Sequence, residues 1–389
     1  MPGREARRQS RRRRRRRRTM RIIGGAAVLL VAVGLAYGAM QVWSGNSSQH
    51  HAVVAHPAHA TASRPVKAPT DTTPSQPPAA AAGPLGGDLL IADRGNNRML
   101  LVDGNKKTLW KFPSKSSQML LNYDDDTFFG DHGNVIVSNQ EDSHDIVQIA
   151  YPSGEVLWRY GHPGIKGSAP GYLHTPDDAY LLSDGTVMVA DAYNCRVIMI
   201  RGQRIVQQIG RTGVCHHNPP DTLGAVNGDT PLPNGNILVS EIAGSYIDEF
   251  TKAGKLVHVY TPPVAYPSDP QLTLDNNIIL ADYTRPGGII IFDRATGRVL
   301  WQYRPASGPG ELDHPSLAAM LPNGNVIVGD DYNHRIAVIN RRTKKIVWQY
   351  GHTGVAGLAP GFLHTVDGFD FVPLAADGSP DTAAIHHGA

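Results

Sequence analysis

From Gly87 onward the chain has no sustained 3.6-residue apolar period. Short runs of Val, Ile and Leu alternate instead with Gly, Asn and Asp, the pattern of strands joined by tight turns. The runs repeat. LLIAD (89–93), VIVSN (135–139), VMVAD (187–191), ILVSE (237–241), IILAD (278–282) and VIVGD (326–330) end at Asp93, Asn139, Asp191, Glu241, Asp282 and Asp330, 41 to 52 residues apart. Six residues before each end stands Gly87, Gly133, Gly185, Gly235, Asn276 or Gly324. Gly or Asn there supplies the positive φ of a hairpin, as in Pro233-Asn234-Gly235. Each run is followed by a turn, a strand such as RMLLVD or RIAVIN, a second turn and a strand such as VLWRY, LVHVY or IVWQY. Four strands per repeat of this length predict a propeller blade, lettered a (inner) to d (outer).

The chain ends decide how the ring closes. The first repeat opens on strand b at Gly87, with no strand a ahead of it. At the other end, His364-Thr365-Val366-Asp367 followed by GFDFVP echoes His174-Thr175-Pro176-Asp177 followed by DAYLLS, which leads into an inner strand. The expected fold is therefore all-β: a six-bladed β-propeller over 87–376, closed by the C-terminal strand, which removes open sheet edges. Residues 377–389 are expected to form a short tail.

Ahead of the repeats the composition changes sharply. Residues 1–21 hold twelve Arg and one Glu, a charge of +11 that leaves −8 for the remainder of a chain whose formal total is +3. Residues 87–389 carry 23 Lys and Arg against 32 Asp and Glu, so a nucleic-acid partner is not expected. Ile22 to Trp43 are 22 residues without a charge, long enough to span a hydrocarbon core of about 30 Å as a transmembrane helix. The arginine block on one side keeps the N-terminus cytoplasmic and places the propeller outside the cytoplasm, in a single-pass cell-membrane protein. A cleaved signal peptide is the alternative. Residues 44–86, rich in Ala, Pro, Thr, Ser and His, read as a disordered linker in which His50, His51, His56 and His59 are solvated.

Three turns share Asp-x-x-Asn-x-Arg: Asp93, Asn96 and Arg98; Asp191, Asn194 and Arg196; Asp330, Asn333 and Arg335. This resembles the NHL-repeat propellers, where the pattern ties the b–c turn. Asp293-x-x-Thr296-Gly297-x-x-x-Trp301 resembles the tryptophan-docking repeat of PQQ-type propellers, with looser copies ending at Trp158 and Trp348. The resemblance spans 87 to about 373 and implies the fold. For function it implies a choice, since such repeats serve binding scaffolds, lyases, hydrolases and sulfotransferases. One well-formed docking repeat, six blades and no adjacent cysteine pair argue against bound PQQ. Trp110, Trp158, Trp301 and Trp348, and the Asp, Asn and Arg of the turns, are expected to be structural. Asp142, Gly244 and Arg285 replace the turn Asn in blades two, four and five, so those turns should differ.

Candidate chemistry gathers in the d–a connections, which reach the usual ligand face of a propeller. Tyr160-Gly161-His162 to His174-Thr175 recurs as Tyr350-Gly351-His352 to His364-Thr365, and Gly308 to Pro315 is a shorter version containing His314. His174, His314 and His364 are thus candidates for catalysis or for holding one divalent metal, zinc or calcium. His217, Asp177, Asp313 and Asp367 are candidate ligand-binding residues. Acids also stand near the start of the inner strands at Asp124, Asp125, Asp126, Asp178, Asp229 and Asp269, and a ring of like charge either raises its pKa values or recruits a cation. The plainer reading is that the His residues cap strands and the acids pair with Arg. Cys195 and Cys215 lie on loops of one face and can pair in an oxidising space, or remain two separate thiols. The function expected is a membrane-anchored, extracytoplasmic propeller that binds a protein or small-molecule ligand at its face without turnover. The alternatives are a His/Asp, metal-assisted lyase or hydrolase, an arylsulfotransferase-like enzyme, and a structural spacer.

Overall fold

The computed structural model of the protein describes residues 83–114, 119–385 and 387. The Arg-rich tail (1–21), the apolar span (22–43) and nearly all of the linker lie outside the described residues. Among the described residues, no helix is long and apolar enough to cross a membrane.

Six four-stranded antiparallel sheets form six blades. The first is completed from the far end of the chain: Phe369–Val372 pairs with Asp88–Asp93, Ile91 opposite Phe369 and Asp88 opposite Val372. The other inner strands are Asp124–Gly130, Pro176–Leu181, Val226–Pro231, Pro267–Leu272 and Pro315–Met320 in blades 2 to 6. Strands b and c are buried on both faces, which is why they read as near-continuous Val, Ile and Leu. Strands d alternate exposed and half-buried residues, as outer strands with one wet face must.

Neighbouring blades are fastened by the docking residues. The indole N–H groups of Trp110, Trp158, Trp301 and Trp348 donate to the carbonyls of Pro152, Gly202, Arg341 and Gly104 in the next blade, at 2.8–2.9 Å. Gln207 does the same toward Lys252 between blades 3 and 4. In blade 4 the position is His258; there Arg294 reaches back to Glu249 instead, beside an open recess of about 570 Å³.

The b–c turns differ as the sequence predicts. The three Asp-x-x-Asn-x-Arg copies form short 3-10 turns (Arg94–Asn96, Ala192–Asn194, Asp331–Asn333), each ended by a left-handed residue, Asn97, Cys195 or His334. Packing extends past both expected domain ends. Leu85 is fully buried, and Asn323 donates to the Pro84 carbonyl. Ile385 joins the core around Phe129 and Val147, and the His387 ring lies against Phe128 and Tyr180. Residues 377–385 and 387 thus pack as a strap across the a–b-turn face, where Thr382 meets Gly133.

Candidate functional site

Because successive strands run antiparallel, every inner strand begins where its neighbour b ends, so the d–a connections and b–c turns share one face. The repeated turn residues hold these connections. Asp191, Asp93 and Asp330 each accept an N–H from the loop entering their own blade, from His174 (2.8 Å), His364 (2.7 Å) and Asp313 (2.7 Å). Asn194, Asn96 and Asn333 donate to the carbonyls of Gly167, Gly357 and Glu311. The next residues, Thr175, Thr365 and His314, have φ of 56°, 49° and 55°, a left-handed region uncommon outside glycine. The ring nitrogens of His144 and His334 accept the N–H groups of Thr175 and Thr365. Both rings serve as acceptors, and burial lowers the pKa of each.

That register agrees with the alignment of Gly308–Pro315 on Ala169–Pro176, in which the three histidines do not share one position. His314 is equivalent to Thr175 and Thr365, and Asp313 to His174 and His364. The rings consequently do not converge. His174 packs against Tyr193 and His144, His364 against His334, and His314 between Tyr283 and Tyr332 with Nδ1 2.7 Å from Asp313 Oδ1. Among the described residues, the only group of three or more His, Cys, Asp or Glu with donor atoms all within 4.8 Å is His217, Glu241 and Asp248. His174, His314 and His364 form no such group. Asp313 is paired at the rim with Arg285 (2.9 Å).

The acids, by contrast, do gather. The inner strands of blades 2 to 6 each break register near their start, between Asp124 and Thr127, Pro176 and Asp178, Val226 and Asp229, Ser268 and Gln271, and Pro315 and Ala318. These bulges turn extra side chains toward the axis. Asp125, Asp126, Asp177, Asp178, Asp229, Asp269, Asp331 and Asp367 interact with one another there. The approach is close enough to require glycine: a Cβ on Gly368 or Gly228 would collide with Asp126 Oδ1 or Asp269 Oδ1. Among the described residues, one guanidinium serves the cluster. Arg94 bonds Asp125 (2.8 Å), Asp367 and Glu141, and its guanidinium carbon lies 4.2 Å from the centre of the Tyr123 ring. Asp177, half-buried at the mouth, takes a hydrogen bond from Asn227. Asp126, Asp229 and Asp269 keep buried oxygens with no hydrogen-bond partner.

Burial first, then neighbouring carboxylates, push Asp126, Asp177, Asp178, Asp229 and Asp269 well above the usual carboxylate range. Asp125 is raised by burial despite Arg94. Burial opposes the charge on Arg94, but Asp125, Asp367 and Asp331 more than offset it and hold the guanidinium firmly protonated. Burial and mutual repulsion thus oppose ionisation of the cluster, and an incoming cation would favour it.

The 210–225 connection is fixed to blade 3 by the Cys195–Cys215 disulfide, with Cα atoms 5.3 Å apart. The sequence marked Glu241 only as a strand end and did not single out Arg94, Asn227, Asp331, His144, His334 or Asp248. For Arg94 the available signal was a difference between repeats: the residue after the turn Asp is Arg94 in one copy and Ala192 or Asp331 in the others.

Comparison with known proteins agrees with the architecture. The family model described as outer membrane protein assembly factor BamB matches residues 41–303 and 144–357. A protein of unknown function from Bacteroides caccae superposes with a TM-score of 0.53 at 16% identity, over 73% of this chain and 98% of that one. The nidogen/laminin complex gives 0.53 at 14% identity, over 73% and 97%. Virginiamycin B lyase from Staphylococcus aureus aligns less fully, with a TM-score of 0.43 at 18% identity over 58% and 69%. At these identities the likeness is one of fold. No curated protein matches the chain by sequence. The docking tryptophans, the six closed blades and the family match together place the chain in the PQQ-repeat β-propeller family of the outer membrane protein assembly factor BamB.

Proposed function

We propose that the protein is a membrane-tethered, extracytoplasmic binding propeller whose acidic channel mouth receives a positively charged group of a protein partner, without turnover. The observation that carries this reading is the imbalance at the mouth, where eight interacting aspartates have Arg94 as their guanidinium partner. A ligand cation entering beside Asp177 and Asn227 would complete the neutralisation that Arg94 begins, in a recess that focuses its field. The histidines of the rim are occupied with aromatic rings and loop N–H groups, which suits a shaped collar around a ligand. The tether is supported by the uncharged 22–43 stretch behind an arginine block, and an oxidising location by the Cys195–Cys215 disulfide.

The test is calorimetric titration of the protein with an octa-lysine peptide in buffers of different ionisation enthalpy. Binding should release protons, because a cation lowers the raised pKa values of the cluster. Asp177→Lys should weaken binding by at least about tenfold, whereas Asp131→Asn, on the exposed a–b turn of the opposite face, should not. Equal affinity of the two variants, or binding without proton release, would remove the mouth as the site.

A further inference from the structure

The b–c turn of blade 4 breaks the charge rule kept by the other blades. In blades 1, 3 and 6 the carboxylate ending strand b is held by an arginine five residues later, with Nε–Oδ2 distances of 2.5, 2.8 and 2.7 Å for Arg98–Asp93, Arg196–Asp191 and Arg335–Asp330. In blade 5, Arg304 supplies the guanidinium to Asp282 at 2.7 Å. In blade 2 strand b runs one residue past Asn139, and the position, opposite Asp145, is the neutral Gln140. Blade 4 has Glu241 there, and Tyr246 stands where the arginine would be.

A second carboxylate is added beside it. Asp248 pairs with Val239, two residues before the turn acid. The equivalent ladder positions hold Leu100, Ile198, Ile290 and Ala337 in blades 1, 3, 5 and 6. An aliphatic core position has become an acid. Glu241 and Asp248 are both 0% exposed, and neither Asp248 oxygen nor Glu241 Oε1 has a hydrogen-bond partner. Buried carboxylates left in that state are costly unless a cation neutralises them.

The third component arrives from the 210–225 connection. Cys215 anchors it through the disulfide two residues before His217, and the Gly224 N–H is bound by Glu241 Oε2 at 2.7 Å. The His217 ring stacks on Tyr246 with centroids 3.5 Å apart and planes at 4°. This sets Nδ1 3.2 Å from Glu241 Oε2 and 3.7 Å from Asp248 Oδ2. The His217 side chain is 20% exposed, so the group is open to water on one side.

We propose that His217, Glu241 and Asp248 form a binding site for a divalent transition metal of the zinc class, with three protein ligands and a fourth position open to solvent. One imidazole and two carboxylates are a zinc-type donor set, whereas calcium and magnesium favour all-oxygen shells of higher coordination number. The ion does in blade 4 what arginine does in its neighbours: it cancels the turn carboxylate and ties the incoming connection to the blade. The site uses none of the aspartates at the channel mouth, so it stands or falls independently of the proposed ligand site.

The test uses the metal-stripped full-length chain, titrated with zinc chloride against a competing chelator and followed by thermal melting. One tightly bound zinc per chain and a higher melting midpoint are expected, with no such response to calcium. Asp248→Ile restores the aliphatic residue of the other blades, so it should stay folded and melt at or above the metal-free wild type. Its zinc affinity should fall by at least about 100-fold. His217→Gln, a change of a partly exposed loop side chain, should do the same if the isoleucine variant does not accumulate. Absence of tight zinc binding by the wild type overturns the proposal. So does unchanged stoichiometry and affinity in these variants, which would assign the ion to other histidines of the chain.

Discussion

Arg94 shows how much one side chain decides at the mouth. It occupies the second position of a b–c turn, where the equivalent copies have Ala192 and Asp331, and its guanidinium enters a cluster whose other charged members are acids. Removing one partner of a buried charge network leaves the others uncompensated. Arg94→Met should therefore destabilise the fold by about 3–5 kcal/mol, and a second change, Asp367→Asn, should return part of the loss. Denaturant unfolding of the two variants checks this; an Arg94→Met protein as stable as the wild type would mean that the aspartates are already neutral. The acids themselves were legible in the sequence, because they recur at the start of successive inner strands. Arg94 and Asp248 were not, since each is a departure from the repeat and alignment of the copies discards departures. The histidines were legible by loop but not by direction. The match of Gly308–Pro315 to Ala169–Pro176 already sets His314 against Thr175, but spacing does not reveal which way each ring turns.

At the scale of elements, the closing strand and the strap were unequally visible. The inner strand Phe369–Val372 announced itself by repeating the His-Thr-x-Asp entry of blade 3, while the strap has two anchors, Ile385 and His387, too few to make a period. His387 Nε2 lies 2.9 Å from Asp370 Oδ2, beneath the Phe128 and Tyr180 rings. Burial lowers the His387 pKa, but Asp370 more than offsets it and the net shift is upward. A raised folded-state pKa means that the stabilisation is fully present below the ordinary imidazole value and is lost as pH rises through the raised one. His387→Ala should therefore lower the melting midpoint by about 2–5 °C in mildly acidic buffer, with a smaller difference in alkaline buffer. A difference that grows with pH would mean that His387 is held neutral.

For the molecule as a whole, the ring of blades gathers acids from distant parts of the sequence at one mouth. Residues 87–389 carry an excess of nine acids over Lys and Arg, and the buried part of that excess is concentrated where the inner strands bulge. In the proposed arrangement, the basic end of the chain stays with the membrane and the acidic end faces a partner across a linker. That mouth is the proposed contact point. The most direct measurement is photo-crosslinking in intact cells, with a benzophenone amino acid in place of Tyr193 or Tyr332, exposed on the b–c turns beside His174 and His314. A matching position at Val206, exposed on the outer strand of blade 3, serves as the reference. The account predicts a discrete protein adduct from both rim positions that is lost when Asp177→Lys is added, and none from Val206. An adduct that forms equally from Val206, or that survives the charge reversal, would contradict it.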